Sequence, residues 1–249
     1  MRNIFFKISY KGTNYHGSQF QKNAVSVMDT FQTAVKKIIK NVDFQLKACS
    51  RTDAGVHANA FCISMITDCN IACDALRKGL NSALPCDISV LECKEVSQDF
   101  HARYSCTGKK YIYKIWNSDV KNAFLGDLAY QYKYKIDEVM LDKQAKDFIG
   151  TYDFKAFSGS KCELEDTVRT IYDCSVIRDG DMIIISVKGD GFLYNMVRII
   201  VGTLIAISAG LREKDSIKTI ILSKDRKKAG ATAPACGLYL DEVYYNEEV

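Results

Sequence analysis

Apolar and polar residues alternate at the start of the chain. Ile4, Phe6, Ile8 and Tyr10 share one face of a strand predicted over 2–10. The period then lengthens: Val27, Phe31, Val35 and Ile38 recur at helical spacing and predict a helix over 26–40. Strands are predicted over 43–49 and 59–66, with the polar segment Ser50 to Ala58 between them. A helix over 70–82 and a strand over 87–96 close this half, giving the order β-α-β-β-α-β.

The second half repeats that order. Strands are predicted over 108–117, 169–178 and 181–189, with an amphipathic helix over 137–150 after the first. A long apolar helix over 192–209 and a shorter charged one over 213–222 follow. A last strand over 238–245 offers Leu238, Leu240, Val243 and Tyr245 to the core. Two successive units of this kind predict an α+β chain of duplicated split-βαβ, ferredoxin-like halves, 1–104 and 105–249. They are expected to share a central mixed or antiparallel sheet with flanking helices.

Composition narrows the class. The 249 residues are 47% apolar and carry 34 basic against 30 acidic side chains, a net charge of +4. With 15 glycines and 2 prolines, nothing suggests disorder or a low-complexity linker. The longest charge-free apolar stretch, Ile199 to Leu211, is 13 residues, short of the roughly 20 a membrane helix needs. The apolar run at the N-terminus breaks at Lys7, too early for a signal-peptide core. A protein of the cytoplasm without a membrane segment is expected.

Ten cysteines raise the question of metal or disulfide. No C-x-x-C occurs, and the one close pair, Cys69 and Cys73, has no second pair nearby. None of the three histidines, His16, His57 and His101, stands at zinc-site spacing from a cysteine. The thiols, Cys162 among them, read as small hydrophobic filler in a reducing compartment, with no metal and no cofactor.

Two segments hold candidate chemistry. From Arg103 to Lys114, four basic residues (Arg103, Lys109, Lys110, Lys114) interleave with Tyr104, Tyr111 and Tyr113, and Trp116 follows. Cations for phosphates and rings for bases suit nucleic-acid contact; a strand with one solvated face is the plainer reading. A second basic cluster, Lys224, Arg226, Lys227 and Lys228, reads as solvated surface. The other segment is Cys49-Ser50-Arg51-Thr52-Asp53-Ala54-Gly55-Val56-His57-Ala58. Small neighbours let Asp53 approach a substrate closely, and a carboxylate attacks carbon without metal or cofactor. A hairpin turn capped by Arg51 and His57 accounts for the same residues.

Residues Arg51 to Ala58 resemble the RTDAGVHA signature of the TruA-type tRNA pseudouridine synthases, the tRNA pseudouridine synthase A family. Five further blocks resemble that family in order. They are Tyr10 to Gly17 with Gln19; Asn81, Leu84, Pro85 and Asp87-Ile88; and Phe100 to Arg103 with Lys110 to Tyr113. Gly191 to Arg198, running to Gly202, and Thr232 to Ala235 with Gly237 to Leu240 complete the set. Departures stand at Ser18, where an aromatic is common, at Ser50 for glycine, at Met28 for glutamine and at Tyr152 for histidine. None of the four is expected to touch the nucleophile.

The resemblance implies the pseudouridine synthase fold and isomerisation of uridine to pseudouridine at positions 38, 39 and/or 40 of the tRNA anticodon stem-loop. It makes Asp53 the nucleophile. A carboxylate under a flipped base loses hydration, and the family match gives Arg198 the role of the guanidinium that offsets this. A helix arginine snorkelling from an apolar face is the alternative for Arg198. Tyr111 matches the tyrosine that stacks on the target uracil, against a reading as a core tyrosine. Arg51, which flips the nucleotide or holds a phosphate, His57 and Leu240, on the apolar pocket wall, complete the substrate-binding set. The resemblance also implies tRNA as partner and a homodimer. A diverged tRNA-binding module using the same basic residues is the competing reading.

Overall fold

A computed structural model describes residues 1–159 and 165–246 of the 249-residue chain. The chain forms two compact units, one of Met1–Thr107 with Tyr239–Val249 and the other of Gly108–Leu238. Cys162 lies outside the described residues.

The first unit is built on β1 (Arg2–Tyr10), α1 (Val27–Ile39), β2 (Phe44–Ala48), β3 (His57–Thr67), α2 (Cys73–Ala83) and β4 (Ile88–Val96). The strand β1 lies between β3 and β4, antiparallel to both, so Phe6 faces Ile63 on one side and Cys93 on the other. A central strand buries both faces: Ile4, Phe6, Ile8 and Tyr10 are buried on one, Asn3 and Phe5 on the other. Buried Asn3 is accommodated because its amide donates to the carbonyls of Ser97 and Phe100 at 2.9 and 2.8 Å. The strand β2 extends the sheet beyond β3.

Helix α1 starts where its cap sits, with the Ser26 hydroxyl accepting from the Asp29 N–H at 3.2 Å. Its stripe is Val27, Phe31, Ala34, Val35 and Ile39, with Phe31 edge-to-face against Phe6 at 5.4 Å. Ile38, assigned to that stripe by spacing, is half-buried and faces Gly79 of α2. Helix α2 is tied to β4 by the Asn81 side chain, which accepts from and donates to the backbone of Val90 at 2.7 and 2.9 Å.

The second unit contains β5 (Cys106–Trp116) from Gly108 onward, β6 (Tyr130–Gln131), α3 (Glu138–Ala145), β7 (Gly150–Asp153), β8 (Val168–Asp179), β9 (Met182–Gly189), α4 (Met196–Ser208) and α5 (Ile217–Ser223). Here β5, β9, β8 and β7 follow one another in antiparallel order, and β6 adds to β5 in parallel. Three predicted helices are shorter than their patterns, the one expected over 213–222 starting only at Ile217. The helix expected over 137–150 stops at Ala145, tightens into a 3₁₀ turn, and gives way to β7, whose pairing with β8 takes the backbone bonds a helix would use. The apolar helix expected from 192 begins at Met196, because Asn195 is left-handed at φ 61°.

Helix α4 lies directly on the Gly230–Ala233 backbone. A Cβ at Gly202 would overlap the carbonyl oxygen of Ala231, and the Gly230 N–H donates to Thr203 Oγ1 at 2.8 Å.

The last strand, β10 (Leu238–Tyr245), was expected within 105–249. From Tyr239 onward it belongs to the first unit, pairing parallel with β3 at Tyr239–His57 and Leu240–Ala58. Tyr245 seals it there: the ring packs on Phe100 at 5.0 Å and the hydroxyl donates to the Ala102 carbonyl at 2.8 Å. Parallel and antiparallel neighbours together make this a mixed-sheet α+β protein.

Candidate active site

The first unit carries Arg51, Asp53, His57 and Leu240, and the second carries Tyr111 and Arg198. Asp53 stands half-buried on the loop between β2 and β3. Its carbonyl accepts from the Val56 N–H at 3.2 Å, closing a turn, and the Gly55 N–H donates to the Tyr15 carbonyl at 3.2 Å. Arg51 is exposed at the near end of the loop.

The residue before Asp53 is held by three hydrogen bonds. Thr52 donates its N–H to Ser18 Oγ at 2.9 Å and accepts at its carbonyl from the Ser18 N–H at 3.1 Å. Its hydroxyl shares a hydrogen bond with the Tyr10 phenol at 2.8 Å. The approach needs Gly17, which adopts φ +92° and would drive any Cβ into the Thr52 carbonyl. Ser18, a departure from the family expected not to touch the nucleophile, bonds to the residue next to it.

His57 is 1% exposed; its Nδ1 accepts the Gly12 N–H at 2.9 Å and its ring stacks on Tyr239 at 4.7 Å. An accepting Nδ1 places the ring proton on Nε2, so the neutral imidazole holds the far end of the loop against residue 12. Leu240 is fully buried in β10 beside Ala58.

In the second unit Arg198 sits in the first turn of α4, where a cation opposes the helix dipole. Its guanidinium is aimed by side contacts: Nε donates to the Ala233 carbonyl at 2.7 Å and Nη1 to Asn195 Oδ1 at 2.9 Å. The Ala233 N–H returns a bond to the Arg198 carbonyl at 3.0 Å. A left-handed Asn195 and the Thr232–Ala235 loop thus orient one guanidinium, which neither motif announces by itself.

Tyr111 is 6% exposed on β5, edge-to-face with Phe192 at 5.2 Å. Tyr113, on the same face, is fully buried and donates its hydroxyl to the Pro234 carbonyl at 2.8 Å; burial pushes its phenol well above the usual range. The rings interleaved with Lys109, Lys110 and Lys114 thus point inward, and Tyr104 is the exposed one, at 80%. The second basic cluster is in part structural. Arg226 donates to the Gly230 carbonyl and Thr232 Oγ1, and Lys224 pairs with Asp153 at 2.7 Å.

Among the described residues, no group of three or more His, Cys, Asp or Glu side chains is arranged to hold a metal ion, and no helix is long and apolar enough to cross a membrane. The nine described cysteines are free. A cleft of about 600 Å³ in the second unit, between Tyr132, Tyr134 and the C-terminal half of α4, is lined by Gly202 of the matched blocks but by none of the candidate catalytic or substrate-binding residues.

The family model described as tRNA pseudouridine synthase matches residues 8–105 and 144–246. The chain belongs to this family. Named relatives agree over 90% or more of their lengths. The tRNA pseudouridine synthase A of Acetivibrio thermocellus is 48% identical over 98% of this chain and 100% of the relative. That of Thermoanaerobacter sp. (strain X514) is 43% identical over the same shares. That of Halalkalibacterium halodurans is 41% identical over 96% and 90%. The two matched segments of the family model take in both the Asp53 loop and the Arg198 helix.

Proposed function

We propose that this protein isomerises uridine to pseudouridine in tRNA, at positions 38, 39 and/or 40 of the anticodon stem-loop, with the Asp53 carboxylate as nucleophile. The observation that carries the reading is Asp53 itself: a half-buried carboxylate on a loop pinned on both sides, within the family's signature segment. In the reaction the bond from ribose C1′ to uracil N1 breaks, the base turns, and C1′ bonds to C5. The C5 proton is lost and N1 ends protonated, so no atom is gained and no redox partner is required.

Each remaining residue answers a physical need of that sequence. A carboxylate covered by a flipped base needs a fixed positive charge, and the oriented guanidinium of Arg198 supplies one. A detached uracil needs a face to rest on while it turns, and Tyr111 supplies a ring. Exposed Arg51 meets the backbone of the flipped nucleotide, and Leu240, buried in β10, backs the apolar wall. His57 acts by holding the loop. The protein works as a homodimer in the cytoplasm.

The test is pseudouridine mapping on unmodified transcript tRNAs incubated with wild type and Asp53→Ala. Pseudouridine in the anticodon stem-loop with wild type alone supports the reading. Binding of tRNA without modification by either protein replaces it with a tRNA-binding module.

A further inference from the structure

We infer that Ser18, together with Tyr10, is a positioning residue for the Asp53 nucleophile, acting through Thr52. This inference rests on the reading of Asp53 given above and adds how the carboxylate is held at its working position.

Thr52 has three polar groups, and each has a partner from the first strand or the loop after it. The N–H goes to Ser18 Oγ, the carbonyl accepts from the Ser18 N–H, and the hydroxyl bonds to the Tyr10 phenol. All three residues are buried, Ser18 to 1% exposure. In that setting hydrogen bonds are directional and little weakened by water. Ser18 is itself anchored: its carbonyl accepts from the Met28 N–H at 3.1 Å, and the Gly17 carbonyl accepts from the Val27 N–H at 3.2 Å. The first turn of α1 therefore fixes Ser18, Ser18 fixes Thr52, and Thr52 fixes the Cα from which the Asp53 carboxylate projects. On the other side the Asp53 carbonyl is closed onto Val56.

A nucleophile needs this restraint more than a binding residue does. Attack requires the oxygen at near-contact distance and correct angle, and misplacement of about 1 Å costs on the order of a hundredfold in rate. A residue that merely supports the fold changes folded fraction and substrate affinity along with rate. A positioning residue lowers the chemical step and leaves affinity alone.

Three variants test this: Ser18→Ala, Tyr10→Phe and the double variant. Single-turnover rate constants and Kd are measured on one unmodified transcript tRNA, with thermal midpoints and Asp53→Ala as control. Ser18→Ala is expected to lower the single-turnover rate constant about tenfold or more, with Kd within twofold and a cooperative unfolding transition retained. Tyr10→Phe, which removes one oxygen and leaves the ring in place, is expected to lower the rate less. The double variant should fall short of the product of the two losses, because both bonds act on Thr52.

A wild-type rate constant in Ser18→Ala would overturn the inference, as would a rate loss matched by loss of tRNA affinity or of folded protein. Losses that multiply independently would also overturn it. Should Asp53→Ala retain activity, the reading of the nucleophile fails instead, which separates the two failures.

Discussion

Gly12 donates its backbone N–H to Nδ1 of His57 at 2.9 Å, so a histidine inside the signature segment is spent on holding a glycine 45 residues away. The contact is close enough that a Cβ on Gly12 would overlap the carbonyl oxygen of Val56. Residues 12 to 18 and 52 to 57 are in effect one structural piece, made from two separate stretches of chain.

Gly12→Ala should therefore damage the Asp53 loop from outside it. The added methyl meets backbone, which cannot swing aside, and overpacking of this kind costs about 1–3 kcal/mol. Thermal unfolding should show a lowered midpoint, and the rate constant should fall with it. An unchanged midpoint and rate would mean that the loop yields freely.

Arg198→Ala should lower turnover far more than tRNA affinity, and Arg198→Lys should restore little. A lysine keeps the charge and loses the paired donation to Ala233 and Asn195 that sets its direction. Single-turnover kinetics alongside filter binding separates the two effects. A wild-type rate constant in Arg198→Ala would remove this residue from the chemistry.

At high pH the buried phenol of Tyr113 should erode stability. Burial raises its folded pKa above the unfolded value of about 10, so the folded state keeps a proton that the unfolded chain releases. Its contribution is complete below pH ~10 and shrinks as pH climbs beyond it. Urea unfolding from pH 8 to 11 should show this fall, with a shallower slope in Tyr113→Phe. That variant also loses the bond to Pro234, about 0.5–1.5 kcal/mol at neutral pH. Equal slopes would exclude the phenol as the cause.

Affinity for tRNA should fall steeply with salt, since neutralising each phosphate releases counterions. A plot of log Kd against log salt concentration from 50 to 300 mM gives the slope. A flat plot would count against phosphate contacts by the basic side chains.

Local pattern was enough for most elements. Alternation over Ile4 to Tyr10 and the Val27–Phe31–Val35 spacing depend on one face meeting a core, and that is written in consecutive residues. The predicted helix over 137–150 failed for the opposite reason: its apolar spacing continues past Ala145, while Gly150–Asp153 finds a strand partner in β8. The inward turn of Tyr111 and Tyr113 likewise depends on which face of β5 is covered, a matter of neighbours and not of the lysines between them.

The chain's own order of residues determined the family, the position of Asp53 in its signature, and the α+β character, because motifs and periodicities are properties of adjacent residues. Tertiary structure alone decided that Ser18 and Tyr10 grip Thr52, that His57 serves Gly12, that Asn195 and Ala233 aim Arg198, and that β10 joins β3. Except for Asn195, three residues from Arg198, each of these joins groups far apart along the chain by hydrogen bonds a few ångströms long. Such bonds acquire partners only when burial removes water as the alternative.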